Sequence, residues 1–434
     1  MQSKIAILAA AAVTAAGAAL AAGVGGYGSS AAHRCTKTFG DGSSVGAIEA
    51  ALTHAPDGSV ICLRSGTYPF IHVSGANHSS YVTLRPAAKA HVVVAGIEVQ
   101  DSSFLRFQGL DMSEGINLRD QAGYPGSHDY QIIGNRFANA LYGVVLYGGS
   151  GPVKRVAIEH NYMRHVRLER PESGGVCRPG YADGQDVTLY YAEGVRIAYN
   201  TFNEAEWHYI QGGSAGPEGA VVEHNLFEGR VLLACSHLNL WQVWDGGQND
   251  TFRDNVAIGA GRGEWRPGLS EEAATDGVLF ENGPGSLDCS TTMSNTVIEG
   301  NLFLNAATSY EIQVYTTSGA TIRNNTVVGS EYGSALLTEH CGPGSGYTMT
   351  HNVDVENLSR SADFMFGDCT GSCTFDFNVS EDGTARQAGA RHAVTHWRPR
   401  WRRTSWSRRG SMPRGFYAAR AVPFPAGRSP DAGP

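Results

Sequence analysis

Lysine is nearly missing from this 434-residue chain, which holds only Lys4, Lys37, Lys89 and Lys154. A lysine base is therefore excluded from any site built beyond Lys154. Long apolar runs are also missing after the first residues, so no later stretch reads as a membrane span. The eight cysteines include one close pair, Cys369 and Cys373 as C-x3-C, with no second pair to complete a zinc site. No EF-hand or RTX-type calcium repeat occurs. Acidic residues are scarce at one end: the last fifty residues hold eleven Arg and a single acid, Asp431. With a net charge of −8, the body is more acidic than the total suggests, which argues against nucleic acid as a partner. The basic tail could touch phosphate or the acidic flank of its own chain.

The opening, MQSKIAILAAAAVTAAGAALAAG, has one Lys and then a weakly hydrophobic, Ala-rich run. It reads as a signal peptide over 1–22, cleaved near Ala19–Gly23, so a secreted protein is expected. An even number of cysteines suits an oxidising compartment. Cys35 and Cys62 flank the first strand pair and are one disulfide candidate; Cys369 and Cys373 could close a small loop. The pairing of Cys177, Cys235, Cys289 and Cys341 stays open.

A phrase recurs through the middle of the chain: RIAYNTF at Arg196–Phe202, VVEHNLF at Val221–Phe227, VIEGNLF at Val297–Phe303. Its Asn residues are Asn135, Asn161, Asn200, Asn225, Asn255, Asn301, Asn325, Asn352 and Asn378. Three residues earlier stand Ile132, Ile158, Ile197, Val222, Phe252, Ile298, Ile322, Met349 and Phe375, all apolar. Two residues later the series runs Phe137, Met163, Phe202, Phe227, Ala257, Phe303 and Val327, then departs to Asp354 and Ser380. The gaps between Asn residues are 26, 39, 25, 30, 46, 24, 27 and 26, a base period of about 25 with three insertions. FLRFQGLDM reads as an earlier copy with Gly109 in the Asn place.

A fixed period in the twenties signals a solenoid. Leucine-rich repeats share the length, but their Leu template and helical stretches are absent. Short runs of alternating apolar residues separated by Gly, Ser and Asn fit three parallel strands per turn, stacked about 4.8 Å apart. The Asn is expected at a sharp bend with left-handed backbone angles, its amide forming a ladder between rungs. These I-x-x-N-x-F units resemble the repeats of the right-handed parallel β-helix of the pectate-lyase-like superfamily, over about residues 60–380. The resemblance implies an all-β, single-stranded coil of about ten rungs. It does not imply one activity, since that fold hosts lyases, hydrolases, epimerases and tailspike adhesins.

The interruptions point to the site. RLERPESGGVCRPGYAD and GAGRGEWRPGLSEEAAT fall at one corner of the coil, three rungs apart, and GPGSLDCSTTMSN falls at the next corner. Long loops on a rigid scaffold build binding sites, so a groove is expected across the first strands between them. Those strands read ADGQDVTLYY, EWHYIQGG, CSHLNLWQVW, TDGVLFENG and YEIQVYTT. Tyr190, Gln211, Asn239, Gln242, Trp244 and Gln313 are the expected substrate-binding residues, with Arg262 and Arg266 on the loops to grip a carboxylate. A glutamine row can be purely structural, and alternation is read as placing Trp241 and Trp244 on one face. Aromatic faces beside amides suit an extracellular polysaccharide.

Elimination from a uronate needs a base and a cation that acidifies the α-proton. Calcium is a candidate cation through Asp183, Asp186, Asp245 and Asp276, with no cofactor certain. Hydrolysis needs two carboxyl groups, for which Asp183, Glu206, Asp276, Glu281 and Glu311 are candidates. The proposed proton-transfer set is Asp183, His208, His237, Asp276 and Glu281, expected on one solvent-facing patch. The N-T-D, G-H-G and R-I-K series of polygalacturonases is absent, as are the W-I-D-H and R-x-P-x-x-R elements of common pectate lyases. A lyase or hydrolase is therefore weighed against a non-catalytic binder or adhesin. The expected organisation is 1–22 signal, 23–59 spacer and cap with a short helix at VGAIEAAL, 60–380 coil and 381–434 irregular tail, in a monomer.

Overall fold

The computed structural model describes residues 34–121, 126–166, 185–205, 208–230, 239–244, 246–259, 277–281, 293–304, 310–315, 318–329, 332–337, 345–355, 364–366, 372–376, 378–380 and 385–387. Among these, parallel strands succeed one another in three stacked series, and each pairs with its counterparts one turn before and after. This is a parallel β-helix, right-handed by the rule for parallel crossovers. The single described helix, α1 (Val45–His54), sits before the coil and contributes Ile48 and Leu52 to the same buried core. The VGAIEAAL helix thus forms where its pattern placed it.

The second-strand register reproduces the apolar column read from the repeat. Ile132, Ile158, Ile197, Val222, Phe252, Ile298, Ile322, Met349 and Phe375 are successive Cα partners. The first eight are fully buried, each side chain adding roughly 1.5–3 kcal/mol of burial. In the third strands Phe137, Met163, Phe202, Phe227, Ala257, Phe303 and Val327 form a second inner column. Ala257 is its short member, and Phe252 reaches in from the neighbouring strand to stack on Phe303 at 6.3 Å. Volume lost in one column is returned by the next, which keeps the core close-packed.

The asparagines form one continuous ladder from Asn135 to Asn378. Asn225 shows the pattern: its Nδ2 donates to Asn255 Oδ1 at 3.1 Å and to the Ile197 carbonyl at 2.9 Å. Its Oδ1 accepts from the backbone N–H and the Nδ2 of Asn200. Every amide hydrogen and the acceptor oxygen are therefore used, in a site 1% exposed. The left-handed angle lies one residue earlier than expected. Gly134, His160, Tyr199, His224, Asp254, Gly300, Asn324 and His351 all have φ between 53° and 67°, and none of the ladder asparagines has positive φ. The preceding residue makes the turn, which leaves the Asn extended enough for its amide to lie along the stack. The same shift corrects the first copy: Gly109 takes the left-handed position, and Leu110 stands in the Asn place, donating its N–H to Asn135 Oδ1.

Cys35 and Cys62 form a disulfide with Cα atoms 5.6 Å apart, tying the chain before the strand Lys37–Phe39 to the strand Val60–Leu63. Cys373 is also disulfide-bonded. Cys369, Cys177, Cys235, Cys289 and Cys341 lie outside the described residues, as do the signal segment and residues 388–434. No described helix is long and apolar enough to cross a membrane.

Candidate functional site

The first-strand sheet carries the candidate groove. Its strands are β1 (Ile71–Ser74), β2 (Val92–Gln100), β3 (Asp111–Arg119), β4 (Val144–Tyr147), β5 (Val187–Glu193), β6 (Ile210–Glu218), β7 (Trp241–Trp244), β8 (Val278–Glu281) and β9 (Tyr310–Tyr315). Alternation sends Ile116, Val144, Val187, Ile210, Trp241, Val278 and Ile312 inward, all fully buried. Two columns are left on the outer face. One runs Asn117, Val145, Thr188, Gln211, Gln242, Leu279 and Gln313; the other runs Arg119, Tyr147, Tyr190, Gly213 and Trp244.

The second column is an aromatic row. Tyr147 and Tyr190 meet edge-on with centroids 6.3 Å apart. Tyr190 and Trp244 are two rungs apart, yet their rings come within 6.5 Å. Gly213 makes this approach possible. A Cβ built there would stand 2.6 Å from Trp244 Nε1 and 2.8 Å from its Cζ2, so the indole occupies the space that a side chain would fill. The three rings form a track along the coil axis, with Tyr147 51% exposed at its outer end.

Amides floor the track. Gln185 Nε2 and the Tyr190 hydroxyl both donate to Gln211 Oε1, the latter at 3.2 Å, and Thr188 Oγ1 donates to Gln185 Oε1 at 2.5 Å. This network locks the Tyr190 ring and fixes which end of the Gln211 amide accepts. The glutamines do not form a ladder like the asparagines. Gln211 pairs in register with Gln242, but Leu279 separates Gln242 from Gln313, which donates to Tyr315 instead.

Several expected site residues sit elsewhere. His208 is 2% exposed at the corner before β6, where its Nδ1 accepts the Asn239 N–H at 3.2 Å, and Asn239 is fully buried. Neither faces the open groove, because both precede the strand and fall where the chain turns inward. Trp241 and Trp244 lie on opposite faces: Trp241 packs inside against Phe280 at 5.0 Å, while Trp244 joins the row. Three positions along a strand reverse the face, so the shared-face expectation fails. Glu281 pairs with Trp244 in register, one rung beyond the track. Glu311 is buried. Asp183, Glu206, His237, Asp245, Arg262, Arg266 and Asp276 lie outside the described residues.

Asp186 is not a surface acid. It is fully buried, neither carboxylate oxygen has a hydrogen-bond partner among the described residues, and burial pushes its pKa well above the usual carboxylate range. Burial that disfavours the charged carboxylate also makes it a poor calcium ligand. No group of three or more His, Cys, Asp or Glu gathers as a metal site among the described residues. Gln185, Thr188, Tyr147 and Arg119 lie at the candidate groove and escaped the sequence reading. Tyr147 and Arg119 precede the first long insertion, so a groove bounded by the insertions left them out. Nearby, burial first, and then the charges of Glu114 and Glu98, push the Tyr142 phenol up to about 12, against the opposing charge of Arg119.

No protein-family model matches the chain, and no curated protein sequence matches it. Among solved structures, it is similar to an alginate lyase from Paenibacillus sp. str. FPU-7, at 15% identity and a TM-score of 0.47, covering 73% of this chain and 99% of that one. A surface adhesin of Streptococcus pneumoniae, PfbA, matches at 11% identity and a TM-score of 0.49, covering 74% and 87%. A mannuronic acid specific polysaccharide family 6 lyase from human gut microbiota matches at 15% and 0.45, covering 79% of each chain. Likenesses this distant concern the coil and leave the activity to the site.

Proposed function

We propose that this is an extracellular polysaccharide-active protein that binds a glycan along the first-strand sheet and cleaves it there. The observation that carries the reading is the Tyr147–Tyr190–Trp244 row above its amide floor. Rings presented in line along an axis, with hydrogen-bonding groups beside them, match the apolar faces and hydroxyls of successive pyranose units. Rungs about 4.8 Å apart place the row over roughly 15 Å, a few sugar rings. The Cys35–Cys62 disulfide fits an exported chain.

Cleavage is assigned to the carboxyl and imidazole groups expected beside the track: Asp183, His237, Asp276 and Glu281. Elimination of a uronate-containing polymer and hydrolysis both remain compatible with that set. The rival reading, a non-catalytic binder or adhesin, draws on one observation: the groove side chains that are described are mostly aromatic rings and amides. Incubating the protein with uronate-containing and neutral polysaccharides separates the readings. Unsaturated uronates absorb in the ultraviolet, reducing ends report any scission, and retention on immobilised polymer reports binding. Cleavage that vanishes in Asp183→Ala, His237→Ala and Asp276→Ala, with melting temperature held, supports the enzyme. Retention without either product leaves the binder, and no retention at all removes the groove.

A further inference from the structure

Five arginines beside the second and third strands pair with acids, while Arg106 bonds Gln131 and lies over the Tyr81 ring and Arg136 lies over the Tyr162 ring. Arg155 pairs with Asp129 at 2.6 Å, Arg164 with Glu204 at 3.0 Å and Arg253 with Glu223 at 2.6 Å. Arg196 bridges Glu159 and Glu223, and Arg323 pairs with Glu299 at 2.5 Å. In each case the acid sits on a neighbouring rung, so the coil matches its own charges.

Arg119 has none of these partnerships among the described residues. It is exposed on the outer face of β3, in register with Tyr147 at the start of the aromatic row, and its guanidinium makes no ion pair or hydrogen bond among the described residues. Glu98 stands one rung before Asn117 in the adjacent column, but Gln100 Nε2 donates to it. Glu114 and Glu98 act electrostatically on Tyr142, and Arg119 opposes them there. An exposed cation with no partner among the described residues, at the end of a sugar-sized track, is placed to meet an anion from outside the chain.

We propose that Arg119 is the anion-reading residue of the groove, taking a carboxylate or sulfate of an acidic polysaccharide whose neighbouring ring lies on Tyr147. The inference rests on the groove reading above and narrows its ligand to a charged glycan. The physical need is plain. A chain of net charge −8 repels a polyanion on average, so acceptance of one requires a local cation with fork geometry. A planar guanidinium beside an exposed phenol ring can hold the charged group while the ring supports the sugar face.

The test is affinity electrophoresis of the full chain in gels carrying a polyuronate, a sulfated glycan or a neutral glucan. Wild type, Arg119→Gln, Arg119→Lys and Trp244→Ala are compared, with melting temperatures alongside. Arg119→Gln should lose about tenfold in affinity for a charged polymer and nothing for the neutral one, with Arg119→Lys between it and wild type. The polymer that loses retention identifies carboxylate or sulfate as the group read. Trp244→Ala should weaken charged and neutral polymers alike. If Arg119→Gln is retained like wild type while Trp244→Ala is not, the anion assignment is wrong and the groove stands. If wild type is retained by none of the three, the groove reading fails and takes the assignment with it.

Discussion

The asparagine corner and the first-strand sheet are built on the same rungs yet obey opposite rules. At the corner, each Asn repeats its neighbour's hydrogen bonds and no amide atom is spare. On the first-strand sheet, equivalent positions hold Thr188, Gln211, Gln242, Leu279 and Gln313, and the amides bond sideways to Tyr190, Gln185 and Tyr315. Charges divide in part the same way: Arg155, Arg164, Arg196, Arg253 and Arg323 pair with acids across rungs, while Arg119 pairs with none among the described residues. Repetition is what a stack needs for stability, since each rung must satisfy the next. Departure from repetition costs that regularity, and here it falls on the sheet that carries the candidate groove.

The contrast can be broken at either side. The largest effect is expected from Asn225→Ala, which strands the Asn200 N–H, the Asn200 amide and the Ile197 carbonyl in a buried site. A loss of about 3 kcal/mol in denaturant melts is expected; an unchanged midpoint would show that the ladder is not holding the rungs. Next comes Trp244→Ala, expected to reduce polysaccharide affinity by about 2 kcal/mol, roughly thirtyfold. Its melting curve should barely move, and a large drop in stability with intact binding would make Trp244 scaffold.

Gly213→Ala sharpens the comparison with a smaller change. The added methyl would displace the Trp244 indole and open the row, costing about 1 kcal/mol of binding. Binding equal to wild type would mean that the indole need not lie over rung Gly213. The smallest effect concerns Asp186, and its sign follows from linkage. Its folded-state pKa is raised by burial above the ordinary value of 3.8. Below that ordinary value both states hold the proton and the group costs nothing. As pH rises past it, the unfolded chain ionises first, so stability falls until the folded carboxyl also ionises. Asp186→Asn should therefore melt above wild type near neutral pH, with the difference shrinking toward pH 3.8. A difference that grows on acidification would mean that Asp186 is ionised and paired in the fold.

Much of the scaffold could be read from residue spacing. The apolar column from Ile132 to Phe375 and the ladder from Asn135 to Asn378 are reproduced position by position. Both depend on local rules, alternation within a strand and repetition between strands, that leave a period in the chain. Of the residues named for the candidate groove, Tyr190, Gln211, Gln242 and Trp244 stand on the outer face of the first-strand sheet, whereas His208, Asn239 and Asp186 are buried at its corners. Those three precede their strands, where the chain is turning a corner and alternation no longer predicts direction.

The sequence by itself therefore determined the coil: a period of about 25, nine spaced asparagines and inward apolar columns permit no other way to satisfy the backbone and bury the same face on each turn. Only the tertiary structure decided which residues meet from different rungs. Gly213 matters because Trp244, thirty-one positions later, lies over it, and Arg119 and Tyr147, twenty-eight positions apart, stand in register. Stacking sets residues from distant turns about one strand spacing apart. Side-chain size and charge across that spacing, which no periodicity records, then choose the contacts.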